Sequence, residues 1–379
     1  MNEDEDATGF AVGSLPERLH ADPARIELAR RRQVALWRRE KPDAWPIMLP
    51  APLLPDQEAI PNPDLAAAFR DADLMLCSQV RGVCGVVNAR ADGVPCIRVN
   101  FGTGICLACV GLEQDVFPDK MPWLRRHLTK EQIMRLTPDD LRPRGSFARG
   151  LEVIRRYRQV MGDSLGIFCM DTQGPMDLAH LMLGDEFFYE LMDDPPFVHH
   201  LMELCLELGI RAHTWLKEAS GEGLAVQHHS GMLYAENMGI RICEDTTTIL
   251  SPEQIEAFAM PYTARLAGHF GGAWIHYCGR NDALTRSILA LPAVRGINFG
   301  HIPGHEHDHP FERDMEWIAA AGKVYFGGWP RLPGETGADY LRRLHRWARQ
   351  GALLPQADAC LGPDGFATAV DARDFWYGL

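Results

Sequence analysis

The sequence predicts an α/β fold: a (β/α)8 TIM-type barrel over residues 66–379, preceded by an N-terminal helical and proline-rich extension over residues 1–65. Three observations predict it. Short apolar runs alternate with longer amphipathic stretches, the pattern of parallel strands joined by crossover helices. Each run gives way to loop-type residues such as Gly, Asp and Asn. The chain, at 379 residues, is long enough for one large barrel with additions.

Composition narrows the function. Hydrophobic residues make up 46% and charged residues 23%, which excludes a disordered or fibrous chain. Lys and Arg number 38 against 51 Asp and Glu, a net charge of −13 that disfavours broad nucleic-acid binding. The one basic cluster, Arg30 to Arg32 with Arg38 and Arg39, reads as a solvated helix face. The longest uncharged apolar stretch, around Gly104 to Leu112, is far short of the ~18 residues a membrane span needs. Met1 to Asp6 is acidic and lacks the order of a signal peptide. The ten cysteines are too sparse for a disulfide scaffold and suit buried thiols in a cytoplasmic protein.

The elements follow in order. A helix fits Pro23 to Lys41, and Pro46 to Pro63 is crowded with proline. Strand-like runs are Cys96–Phe101, Leu165–Met170, Leu224–His228, Ala273–Cys278, Val294–Phe299, Lys323–Gly327 and Leu353–Ala357. They number seven, so the eighth strand is assigned to Met75–Val80 or Val83–Val87. Thr129 followed by Gln132, and Ser251 with Pro252 and Gln254, are capping-box helix starts. A helix over about Pro196 to Ala219 carries Val198, Leu201, Met202 and Leu206 on one stripe and ends near Gly221. No G-x-G-x-x-G follows a strand and no phosphate-binding P-loop is present. An open doubly wound sheet is the alternative architecture.

A barrel of this kind does chemistry where strands end, at the C-terminal mouth. The loop Asn100, Gly102 and Gly104 offers close backbone approach to an extended cofactor, or a plain tight turn. Asp171 and Gln173 follow a strand and are candidate catalytic groups, as is His228, which ends a run beside His229. Glu244 and Asp245 either support a metal site or lead into the helix cap at Ser251. His301, His305, His307 and His309 suggest a solvated, pH-responsive loop. His276 and Cys278 alternate along one run, so both side chains face one way. Cys360 follows the last run, where the barrel closes. One imidazole and two thiolates suit zinc with one open position.

The segments DTQGPMDLAHLMLGDEFFYELMDDP (171–195), DTTTILSPEQIEAFAMPY (245–262) and WIHYCG (274–279) resemble the uroporphyrinogen decarboxylase superfamily over roughly residues 95 to 365. The resemblance implies a (β/α)8 barrel with its site at the mouth. Decarboxylases of that superfamily carry an Arg-rich loop where this chain reads VVNARADGVPC (86–96). The ligand pattern is closer to the zinc- and cobalamin-dependent methyltransferase branch. There His276, Cys278 and Cys360 match the three ligand types in order, although Ala359 and Leu361 depart from the branch's usual turn around the last cysteine. What this branch implies is methyl transfer between a corrinoid and a thiol or similar small molecule. The corrinoid would sit on a partner protein, since no D-x-H-x-x-G segment is present. A homodimer is implied by the same analogy. The alternative is metal-independent decarboxylation of a polycarboxylate, with Asp171 moving protons and Arg81, Arg90 or Arg98 binding carboxylates. A corrinoid-binding protein without activity is a third reading, and the retained ligand residues count against it.

Overall fold

The computed structural model describes residues 10–300 and 309–379. The fold is a (β/α)8 barrel with an N-terminal helical, proline-rich segment. Its strands are β1 (Cys96–Arg98), β2 (Gly166–Phe168), β3 (Val226–His229), β4 (Ile240–Cys243), β5 (Ala273–Cys278), β6 (Val294–Gly300), β7 (Val324–Gly327) and β8 (Leu353–Pro355). From β4 to β8 they form one parallel sheet in sequence order. β1 pairs in parallel with β2. β3 turns back on Leu233–Glu236 as an antiparallel hairpin, and Cys96 N of β1 donates to the Gly231 carbonyl at that turn.

The eighth strand is β4, and neither stretch assigned to it from sequence is extended. Met75–Val80 and Val83–Val87 both lie in the helix Ala72–Asn88. Met75, Leu76, Val80, Val83 and Cys84 recur at helical spacing and are buried together, so a strand would expose half of them. β4 escaped notice because Arg241 interrupts its apolar run.

Two apolar layers fill the molecule. Ile97, Ile242, Ile275, Ile297 and Tyr325 point from the strands to the surrounding helices. Trp274, Val324, Phe326 and Leu354 lie in a second cluster with Leu36, Trp37 and Met48 from the N-terminal segment. The helix Pro23–Trp37 therefore packs its buried end under the strands' N-terminal ends. Asp22 caps it by accepting from the Ala24 and Arg25 amides, and Pro23 stands where no amide is needed. Arg32, read from sequence as part of a solvated face, is instead buried on Asp92. The proline-rich stretch joins the sheet as well: Met48 N donates to the Pro355 carbonyl, and Ala357 N donates to that of Met48.

The helix starts are as expected. Ser251 and Thr129 each accept from the third amide of their helices. The helix Pro195–Ser220 ends on Gly221 at φ +72°. Among the described residues, no helix is long and apolar enough to cross a membrane. His301, His305 and His307 lie outside the described residues. His309 is buried, bonded to Asp314 and the Gly279 carbonyl and stacked on Phe299, so it serves packing.

Candidate functional site at the barrel mouth

The parallel register stacks the site in layers. Arg241 pairs with Trp274 and Trp274 with Gly296; one step on, Cys243 pairs with His276 and His276 with Asn298; beyond these Cys278 pairs with Gly300. Alternate residues of a strand face the same way, so the members of each layer look into the barrel together. Of these, Arg241, Trp274, His276 and Asn298 line a cavity of about 470 Å³, with Arg98 from β1, Phe168 from β2, Asp171 from the loop after β2, and His229 from β3.

Cys243, Asp245 and His276 each offer a ligand atom within 4.8 Å of the others, the one such group of His, Cys and carboxylate atoms among the described residues. The orientation of His276 follows from its neighbour. Asn298 donates its amide hydrogen to the Phe326 carbonyl, which turns its Oδ1 to His276 Nδ1 at 2.6 Å. Nδ1 must carry the hydrogen, leaving the Nε2 lone pair free. Cys278 Sγ lies 3.5 Å from that Nε2. An imidazole oriented through its other nitrogen, beside thiols and a carboxylate, is a donor set suited to zinc. Burial, reinforced by Asp245, pushes the Cys278 thiol up to about 11, and burial raises Cys243 well above its ordinary value. Without a cation both are protonated at neutral pH.

Buried carboxyls shape the approach. Asp177 accepts from the Asp245 and Thr246 amides and so fixes the loop that carries Asp245. Glu244 accepts from the Thr247 and Thr263 hydroxyls and serves the loop rather than the cavity.

Below this layer Asp171 is held by Arg98 at 3.2 Å and Arg241 at 2.9 Å. Burial alone would raise its carboxyl. The two guanidinium groups outweigh that and hold it at about 2, fully ionised. His229 is pushed well below its ordinary value by burial and by both arginines, so it is neutral.

The other residues singled out in sequence fall as follows. Gln173 is buried behind Asp171, its amide nitrogen 3.4 Å from Oδ1. His228 faces away from the cavity, bonded through its amide and Nδ1 to Glu222 and packed against Gly166. His229 takes the place in the mouth, because the strand alternates sides at every residue. Asn100, Gly102 and Gly104 do not line the cavity. Gln114 clasps their loop by accepting from Gly104 N and donating to the Phe101 carbonyl. A Cβ on Gly104 would lie 2.8 Å from Gln114 Oε1, so close packing accounts for that glycine. Cys360 sits in the turn Asp358–Cys360, buried, its thiol raised to about 12 by burial and then by Asp358. It does not join the group formed by Cys243, Asp245 and His276. Of the arginines offered for carboxylate binding, Arg98 reaches the cavity. Arg81 is spent on the Gln57, Glu58 and Ile60 carbonyls, and Arg90 on Asp22.

Sequence reading missed Arg241 and Cys243. The signal was present: in Ile-Arg-Ile-Cys, the buried isoleucines alternate with residues of site chemistry, as a barrel strand with one functional face requires.

These features define a barrel enzyme with a polar, metal-competent mouth. The profile of the uroporphyrinogen decarboxylase (URO-D) family matches residues 29–302, and the chain belongs to that family. A solved methyltransferase from Methanosarcina mazei shares the fold, with a TM-score of 0.65 at 17% identity over 92% of this chain and 99% of that one. No curated protein matches the sequence.

Proposed function

We propose that the protein is a zinc-dependent methyltransferase that moves a methyl group between a corrinoid, carried on a partner protein, and a thiol or similar small molecule. The observation that carries this reading is the convergence of Cys243, Asp245 and His276 within 4.8 Å at the mouth, beside Cys278. Support comes from the oriented Nε2 of His276 and from the methyltransferase that shares the fold. His276 and Cys278 are the ligands foreseen in sequence; Cys243 from the adjacent strand joins His276 within 4.8 Å, in a group that does not include the foreseen third ligand, Cys360. A zinc ion held there would lower the pKa of a bound thiol, making it a nucleophile at neutral pH. The protein's own work is to orient His276 through Asn298, to position Asp245 through Asp177, and to bind the small molecule beneath, where Asp171 remains ionised. Residues 1–65 are proposed as an N-terminal extension or arm, whose described part packs onto the barrel.

Metal-independent decarboxylation draws support from family membership and from Arg98 in the cavity. The donor group at the mouth favours methyl transfer.

The test is zinc per chain by elemental mass spectrometry, on wild type and on Cys243→Ala, Cys278→Ala and Cys360→Ala, paired with methyl transfer from methylcobalamin to a thiol panel. About one zinc per chain is expected, with metal and activity falling together in Cys243→Ala and Cys278→Ala. A Cys360→Ala protein that keeps its zinc identifies Cys243 as the third ligand. Undiminished methyl transfer by zinc-free protein would end the reading.

A further inference from the structure

The layer beneath the metal donors holds chemistry that methyl transfer itself does not need. Arg98 and Arg241 both face the 470 Å³ cavity and share one carboxylate, Asp171. Two guanidinium groups and one carboxylate leave one positive charge there, in a chain whose net charge is −13. Each guanidinium has five N–H donors in a fork that fits a carboxylate. Asp171 accepts from one nitrogen of Arg241 and is ion-paired with one nitrogen of Arg98, so donors remain for a second anion. A monoanion would bring the layer to neutrality.

Three rings, Phe168, His229 and Trp274, stand in the rest of the cavity wall beside Gln79, Val83 and Ser230. Phe168 lies 4.9 Å from His229 at an interplanar angle of 44°, and His229 meets Trp274 edge-on at 5.0 Å, so the rings form an angled aromatic cluster. Such a cluster can receive a flat aromatic ring, stacked on one of its members and edge-on to another. The distance to the chemistry is set by the strands. Arg241 and Cys243 are two residues apart on β4, a rise of about 6.6 Å. That is close to the width of one six-membered ring with its substituents.

We propose that the small-molecule partner in the reaction is a flat aromatic monocarboxylate. Its acid group is received by Arg98 and Arg241, its ring packs among Phe168, His229 and Trp274, and the substituent opposite the acid reaches the layer of Cys243 and His276. The inference rests on the reading that this layer is where the methyl group is exchanged. The arginine pair lies on strands β1 and β4, so it is distinct from the N-terminal Arg-rich loop, which this chain lacks.

The test is calorimetric titration of the full chain, which needs neither corrinoid nor turnover. The probes are 4-mercaptobenzoate, its amide 4-mercaptobenzamide, and the short acyclic acid 3-mercaptopropionate. The aromatic acid is expected to bind at least tenfold more tightly than either of the others. Arg241→Gln and Arg98→Gln are each expected to weaken it about ten- to a hundredfold and to abolish the preference over the amide. If Arg241→Gln melts early because Asp171 loses a buried partner, Arg98→Gln carries the test, being the more exposed of the two. Equal binding of acid and amide overturns the proposal, as does equal binding of the aromatic and acyclic acids, or unchanged affinity in a folded Arg98→Gln. Acid-selective binding without methyl transfer would remove the proposed reaction and leave this subsite standing. Turnover of uncharged thiols without acid selectivity would do the reverse.

Discussion

Asn298→Ala is the sharpest probe of the proposed metal site, because Asn298 does not itself belong to the donor group. Its Oδ1 accepts from His276 Nδ1 at 2.6 Å, and its amide hydrogen is committed to the Phe326 carbonyl, so the amide cannot turn over. Removing it lets the imidazole rotate and exchange tautomers, and the Nε2 lone pair is no longer aimed beside Cys278. Groups that orient a metal-bound histidine in this way typically contribute ten- to a hundredfold in metal affinity. That corresponds to about 1.4 to 2.7 kcal/mol. Competition against a chromophoric chelator measures it directly. Asn298→Asp retains an acceptor for Nδ1 and is expected to stay within a few-fold of wild type, which separates orientation from a packing defect at Phe326. If Asn298→Ala binds zinc as tightly as wild type while His276→Ala does not, His276 is a ligand that needs no orientation and the reasoning fails.

Two further outcomes test the frame around the site. Asp92 is fully buried and accepts from Arg25, Arg32, the Ile47 amide and Tyr377, joining the N-terminal helix, the proline-rich stretch and the C-terminal helix. Asp92→Ala takes the shared buried acceptor from Arg25, Arg32 and the Ile47 amide, leaving Arg32 paired only with the exposed Asp43, and is expected to cost about 3–5 kcal/mol, seen as a melting-point drop of roughly 4–6 °C; a drop under a degree would show that residues 10–65 fold apart from the barrel. His213 is buried between the Gly209 carbonyl and Thr172, and burial lowers it to about 4. Its folded value lies below the unfolded one of about 6.5, so the unfolded chain takes up the proton first. Its contribution is complete above about pH 6.5 and is lost as pH falls toward 4, by at most about 3 kcal/mol. Urea unfolding at pH 5 and 7 should therefore show a smaller loss in His213→Gln than in wild type, and equal losses would refute the assignment.

The sequence by itself determined the barrel class, seven of the eight strands, several helix starts, and the placing of His276 and Cys278 on one side of a strand at the proposed metal site. Those features are local. A strand buried on both faces is apolar throughout, a capping box lies within four residues, and His276 and Cys278 share a side because alternation along one strand places them there. What lay beyond sequence was pairing between distant segments. Cys243 joins His276 only through the β4–β5 register, across 33 positions of chain. Arg98 and Arg241 meet on Asp171 only once β1 and β4 stand in one wall. The exchange of His228 for His229 shows the same cause at its smallest scale. Two adjacent histidines are equivalent as letters, and the register of β3 against its hairpin partner turns one to Glu222 and the other to the cavity. A strand's period of two makes a single-residue shift reverse every side chain, so the facing of a site is decided by tertiary pairing, while composition and periodicity decide that a strand is there at all.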